Sequence, residues 1–351
     1  VTLLDALDQS REDFVWKDGE RLIAFGGSAL ASLPGFLRAA KMEDYALVCT
    51  ERSLGQFAGQ VGGEEAISGA AVQIQIGHGG VAELARDHRD EVGDRAIVAV
   101  GGGRVIDTAK AIAGTYGQKV AAIPTTLSGA PMTGTHRLPA GFAGEAKSVR
   151  AAIVIGIPDL MASQDESLRT GSAMNGLSHA VESLFVETGS AVPRLAGSRA
   201  VKLLFQSLLD DTIDEPTRRL NLSLGAIEAG YAVGATGYAL HHVICQTIVR
   251  LGEVPHAPTY GAMLPYTLEF YKLRDELTWQ LISQEMGTQD PSVLIAKTCA
   301  AAGNPTTLTD LGVAPERIEP IIAAASERRE LALTPGGANA NDIRSLIESA
   351  L

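Results

Sequence analysis

The chain has 351 residues, a net charge of −12 and 46% hydrophobic residues. That is enough for two domains with separate cores. The acidic balance excludes nucleic acid as a partner, because no basic field is there to attract phosphates. It does not exclude a small anionic substrate, which needs only a local cationic pocket. Three cysteines, Cys49, Cys245 and Cys299, are odd in number and widely spaced, without a CxxC. They argue against a disulfide framework or a zinc–thiolate site and fit a reducing cytoplasm. No run of ~18 apolar residues offers a membrane span, and no signal peptide is expected ahead of the first domain.

Residues 1–13 read as a short amphipathic lead, with Leu3, Leu4 and Leu7 at helical spacing. ERLIAFGG (20–27) is an apolar strand ending in a glycine turn, and SALASLPGFLRAA (28–40) is a helix opening on Ser28. YALVCTERS (45–53) and AAVQIQIG (70–77) are the next strands, and VAELARDHRDE (81–91) is helical. AIVAVGGG (96–103) is a buried strand running into glycines, VIDTAKAIAG (105–114) the helix after it, and KVAAIPTT (119–126) the last strand read from the residues. Strand and helix alternate with short turns, the pattern of a parallel sheet covered by helices. After about Pro158 strand-like runs vanish. Helices are expected at 173–188, 193–211, 215–249, 262–286 and 290–302, with breaks at prolines such as Pro193, Pro255 and Pro291. The expectation is an α/β domain over 1–158, Rossmann-like with a parallel sheet, an all-α domain over 159–351, and a cleft between them.

Three histidines and a glutamine stand in the largely apolar, small-residue stretch from Gly234 to Pro265: His241, His242, Gln246 and His256. Adjacent histidines point to different sides of a helix, while His242 and Gln246 share a face. Asn175 and His179 are again four apart. These groups could converge between two packed helices, where divalent metals take imidazole nitrogens and oxygen donors. The plainer alternative is a set of core histidines with satisfied hydrogen bonds. Upstream, Gly101, Gly102 and Gly103 lie between a strand and a helix, where backbone N–H groups can approach a pyrophosphate, although any tight turn uses glycine. Thr125, Thr126 and Ser128 offer short hydroxyls after the next strand. Glu51, past the second strand, can accept from an adenosine ribose and would repel a 2′-phosphate, favouring NAD over NADP, while Arg52 beside it works the other way.

GGGRVIDTAKA (101–111), PTTLSGA (124–130), MNGLSHAVESL (174–184) and HHVICQTIVRLGEVPHAPTYGAMLP (241–265) occur in that order. With them the chain resembles the iron-containing (group III) alcohol dehydrogenase family from about Phe14 to Tyr271. Within it the nearest likeness is to the maleylacetate reductase branch, where PTTLSG, an asparagine in MN-x-x-x-H and a paired HH before C are typical. The resemblance implies a dehydroquinate synthase-like fold and a cytoplasmic homodimer serving aromatic-compound catabolism. Gly101, Gly102 and Gly103 would form the pyrophosphate loop, with Asp107 and Lys110 at the family spacing. Thr125, Thr126 and Leu127 would line the nicotinamide side. Asn175, His179, His242 and His256 match positions that are an aspartate and three histidines in metal-dependent relatives. With asparagine there, as in the maleylacetate reductase branch, no obligatory metal is expected, although iron or zinc could still be held.

The implied activity is hydride transfer from NAD(H) or NADP(H) to the carbonyl of a small anionic oxo acid, with His242, His241, His256, Asn175 and His179 as the catalytic set. Alternatives are a metal-dependent alcohol or polyol dehydrogenase of the same fold, or a relative with diverged substrate or lost redox activity. The last arises because Gln246 replaces a histidine that relays a proton; glutamine does not titrate. Arg104 replaces a common serine, Ile157-Pro158 stands for Asp-Pro after the last strand of the first domain, and the loop carrying His136, Arg137 and Lys147 is individual. These cations, with Arg250, either meet a dicarboxylate or line a solvated surface.

Overall fold

The computed structural model describes residues 21–351 apart from 61, 135, 136 and 146. The amphipathic lead and His136 lie outside the described residues. Six parallel strands, β1 (Leu22–Phe25), β2 (Tyr45–Cys49), β3 (Val72–Gln75), β4 (Ala96–Gly101), β5 (Val120–Pro124) and β6 (Ile153–Gly156), form one sheet in the order β1-β6-β5-β4-β2-β3. Helices connect most successive strands. Strands covered on both faces are apolar throughout, and β2, β4, β5 and β6 are almost wholly buried. The edge strands are mixed: β3 reads VQIQ with Ile74 alone buried. The residue pattern missed β6, because a four-residue apolar run carries no period to read. The Ile157-Pro158 correspondence had pointed to a strand there.

The order of strands sets β5, β4 and β2 side by side, so the turns leaving their C-terminal ends are neighbours. Ligands of open parallel sheets bind outside those ends. Two hydrogen bonds lash these turns together: Ser53 Oγ donates to Val100 O at 2.7 Å, and Thr125 N to Gly101 O at 3.1 Å.

The described residues fall into two compact units. One comprises residues 21–164 with Glu215–Gly230; the other comprises Asp165–Asp214 with Tyr231–Leu351. The second is helical. Its helix Glu166–Phe185 packs on Ala191–Leu209 and on His256–Lys272, and Leu240–Gly252 packs on the last of these. Two expected helices are divided. The run 215–249 breaks after Thr236, where Gly237 takes a left-handed φ of 81° and its N–H closes on Val233 O at 2.9 Å, a glycine C-terminus. The run 262–286 instead starts at His256, ends at Lys272, and restarts at Glu276, where Asp275 caps the Thr278 N–H at 3.0 Å. Pro193 and Pro291 stand in the first turns of their helices and Pro255 just ahead of one, where proline removes no needed donor. No described helix is long and apolar enough to cross a membrane.

Gly101 is where β4 gives way to the helix Gly103–Tyr116. A Cβ there would lie 2.6 Å from Val105 Cβ, an atom that no rotamer change can move away. Gly101→Ala is therefore expected to cost about 1–3 kcal/mol by overpacking, read as a lowered melting temperature with the far-UV spectrum kept.

Candidate active site

In the sheet unit, the glycine turn and the PTTLSG segment meet. Gly102 is the N-cap of a 14-residue helix with no side-chain cap, so the first N–H groups are left for another acceptor. A Cβ on Gly103 would come within 2.6 Å of Ser128 Oγ, and one on Gly102 within 3.0 Å of Thr126 Cγ2. The absence of side chains is thus what lets the two segments touch. Glu51 is the exposed first residue of the helix Glu51–Ala58, whose capping box is made by Thr50 and Ser53.

Two of the residues expected at the cofactor are turned inward. Leu127 is completely buried and supports the loop from within. Lys110, 1% exposed, pairs with Asp107 at 2.8 Å and donates to the carbonyls of Ala130 at 2.9 Å, Thr133 at 3.2 Å and Gly134 at 3.4 Å. The ammonium clamps the chain that follows PTTLSG, and the i,i+3 pair with Asp107 is part of the clamp. Among the loop cations, Arg137 and Arg250 are exposed, and Lys147 donates to Tyr116 O at 2.9 Å.

In the helical unit, the imidazoles gather around one phenol. The Tyr260 ring lies 4.4 Å from the His256 ring, 5.0 Å from His242, 5.5 Å from His241 and 6.3 Å from His179, centroid to centroid. His179 also stacks on His242 at 4.7 Å. His179, His241 and His242 are buried, while His256 is exposed at the start of its helix.

The group that organises them is Glu182, fully buried and not singled out in the sequence reading. Its Oε2 stands 2.5 Å from His242 Nδ1. Its Oε1 accepts from the His241 N–H at 2.6 Å, the His242 N–H at 3.3 Å and the Tyr271 hydroxyl at 2.8 Å. Those N–H groups belong to the first turn of Leu240–Gly252, whose N-cap Ala239 offers no side-chain acceptor. The carboxylate thus caps one helix from another. A signal was present: Asn175, His179 and Glu182 are four and three apart, on one helical face.

The electrostatics follow. Burial acts to raise the Glu182 pKa, but the charge of His242, its hydrogen bond and then His241 outweigh it and bring it down to about 2. Burial, then the charge of His242, pushes His241 down to about 3 against the pull of Glu182. Its Nδ1 lies 2.8 Å from Thr267 Oγ1 and its Nε2 3.7 Å from Cys245 Sγ. Burial, then the neighbouring imidazoles, holds His179 well below its usual range. Among the described residues, three of the buried side-chain atoms without a hydrogen-bond partner lie in this site: Asn175 Oδ1, His179 Nδ1 and His242 Nε2.

Gln246 is held from the other side. Arg328 Nη2 donates to Gln246 Oε1 at 3.2 Å and to the Tyr238 hydroxyl at 3.1 Å, and it pairs with Glu330 at 2.8 Å.

The donors suit an organic oxygen better than a resident metal. Asn175 brings a neutral amide where a carboxylate would offset a dication, and the nearby carboxylate, Glu182, is committed to His242, His241 and Tyr271. Among the described residues no group of three or more His, Cys, Asp or Glu is disposed to hold a metal ion.

Two family models match: the Fe-containing alcohol dehydrogenase family, C-terminal, over residues 170–351, and iron-containing alcohol dehydrogenase over 24–152. The chain belongs to the iron-containing alcohol dehydrogenase family and is an oxidoreductase. It is 27% identical over 266 residues to maleylacetate reductase 1 of Rhodococcus opacus, covering 72% of each chain. Maleylacetate reductase from Agrobacterium tumefaciens shares the fold with a TM-score of 0.78 at 21% identity, over 97% of this chain and 98% of that one. So does sulfoacetaldehyde reductase from Bifidobacterium kashiwanohense, in complex with NAD+, with a TM-score of 0.80 at 17% identity, over 96% and 99%.

The pKa shifts set a pH dependence. Glu182 falls from 4.5 to about 2 and His241 from 6.5 to about 3, so between those limits the unfolded chain binds more protons than the folded one. Stability is therefore full above about pH 6.5 and declines as pH falls, first through the histidine window and then through the carboxylate window. The melting temperature should drop between pH 7 and pH 3. Glu182→Gln should destabilise the fold at neutral pH by on the order of 3 kcal/mol, read as a lower melting temperature, and flatten the decline below pH 4.5.

Proposed function

We propose that this protein is an NAD(P)H-dependent reductase of a small oxo acid, similar in activity to maleylacetate reductase. One observation carries the reading: a buried carboxylate holds Nδ1 of His242 while its Nε2 is left without a partner, beside the unpaired Asn175 Oδ1 and His179 Nδ1. An imidazole so placed gives a proton through Nε2, and Glu182 steadies the positive charge on the ring, the role a carboxylate plays behind a catalytic histidine.

Each unit offers its own set of groups. The sheet unit contributes the uncapped N–H groups after Gly102 and the hydroxyls of Thr125, Thr126 and Ser128 for the dinucleotide. Bound NAD(P)H supplies the hydride. The helical unit orients the substrate oxygen through Asn175 and His179 and protonates it from His242. The carbonyl gains a C–H and an O–H bond, and His242 recovers its proton from water. His241 takes no part in proton transfer, because its ring is committed to Thr267 and Cys245 and resists charging. His256 and Tyr260 fix the position of the other rings. The maleylacetate reductases among the relatives support the oxo acid as substrate, and the NAD+ complex of sulfoacetaldehyde reductase supports the cofactor. Glu51, the first residue of the helix that follows β2, favours NADH.

A second reading is a metal-dependent alcohol dehydrogenase, favoured by the three unpaired atoms on Asn175, His179 and His242. Assays of 2-, 3- and 4-oxo acids and of aldehydes with NADH and NADPH, before and after chelation, separate the two. We expect NADH-dependent reduction of an oxo acid that survives chelation; activity lost on chelation and restored by iron or zinc supports the metal reading. His242→Gln should lower kcat roughly 10²–10⁴-fold, with KM changed much less.

A further inference from the structure

Arg328 immediately precedes the 3₁₀ turn Arg329–Leu333. Its guanidinium fork is taken by Glu330, with Nε to Oε2 at 3.1 Å and Nη2 to Oε1 at 2.8 Å. The side chains are 25% and 32% exposed. The other groups the guanidinium touches, the Tyr238 hydroxyl and the Gln246 amide oxygen, are neutral. Tyr238 in turn packs its ring 5.6 Å from that of His242, centroid to centroid. A fork shaped for a planar carboxylate thus stands one tyrosine away from the imidazole assigned to proton delivery.

The carboxylate now in the fork also accepts from the Tyr238 hydroxyl at 3.2 Å, so the phenol and the guanidinium together mark out a carboxylate's place. This carboxylate comes from two residues along the chain and is partly exposed. An arriving carboxylate exchanges with it like for like, so the guanidinium is never left unpaired. Gln246 suits this exchange, since it lends an acceptor without adding a charge of either sign.

We propose that Arg328 receives the carboxylate of the substrate and that Glu330 is its internal stand-in, displaced when an anionic oxo acid binds. The proposal rests on the reductase reading for its substrate class. It makes Arg328 a specificity-determining residue and selects acids over neutral aldehydes.

The test is a thermal-shift titration of the full chain with succinate, an unreactive dicarboxylate, at fixed ionic strength, against neutral succinamide. Succinate should raise the melting temperature saturably and succinamide should not. Arg328→Met should weaken the apparent succinate affinity roughly tenfold or more, and Arg328→Lys by less, because an ammonium keeps the charge and loses the fork. Glu330→Gln should tighten succinate binding about threefold, since the competing carboxylate is gone. In the oxo-acid assay the same variant should lower KM for acids and leave KM for aldehydes unchanged. Failure of succinate to stabilise the parent, undiminished binding by Arg328→Met, or no tightening in Glu330→Gln overturns the proposal. If Arg328→Met does not keep the parental far-UV spectrum, Arg328→Lys decides, and binding equal to the parent's then overturns it. If the parent reduces no acid with either nicotinamide, the reductase reading falls, while the carboxylate site is judged by succinate binding alone.

Discussion

A charged carboxylate with no exposure to water is costly unless its lone pairs are filled. Glu182 fills them with one imidazole, the backbone of two residues in a helix's first turn, and a phenol. Three consequences follow from that single arrangement. The helix Leu240–Gly252 receives the N-terminal acceptor that its own N-cap lacks. It is pinned to Glu166–Phe185, so residues sixty positions apart keep a fixed relation. The His242 ring is oriented by Nδ1, leaving Nε2 for chemistry. Deleting the carboxylate would loosen a helix start and a reactive ring together, and stability and activity are linked here for that reason.

The sheet unit uses a buried charge of the opposite sign in a similar way. Lys110 reaches from the helix after the glycine turn to three carbonyls of the chain beyond PTTLSG. Gln164 holds the same region by donating to Thr125 O. The segment that meets Gly102 and Gly103 is therefore clamped from below by side chains that need not contact a ligand. In both units the groups suited to chemistry stand on backbone that a buried polar side chain has fixed, as a precise site requires.

The parallel sheet was legible because strand and helix alternate and because strands buried on both faces are apolar throughout. The common helix of Asn175 and His179 was legible from a spacing of four. What escaped depended on distance along the chain. Glu182 lay inside a segment read closely, yet an acid within a helix ordinarily faces solvent, and its partners lie about sixty and ninety residues away. Arg328 is 82 positions from Gln246, and no local pattern joins them. His241 and His242 looked interchangeable as proton donors until packing set one against Thr267 and the other against Glu182. Lys110 carried a readable ion pair with Asp107, but the loop carbonyls that absorb its remaining donors were invisible. The break after Thr236 turned on one glycine in an otherwise helical run.

The central claim is that Glu182 fixes the proton on Nδ1 of His242 and so reserves Nε2 for the substrate. Side-chain ¹⁵N NMR of the histidine-labelled protein tests it directly. The account predicts that Nδ1 of His242 carries a proton shielded from exchange with water, and that Glu182→Gln alters or abolishes this signal. A bare Nδ1 with the proton on Nε2, or a spectrum indifferent to residue 182, would contradict it.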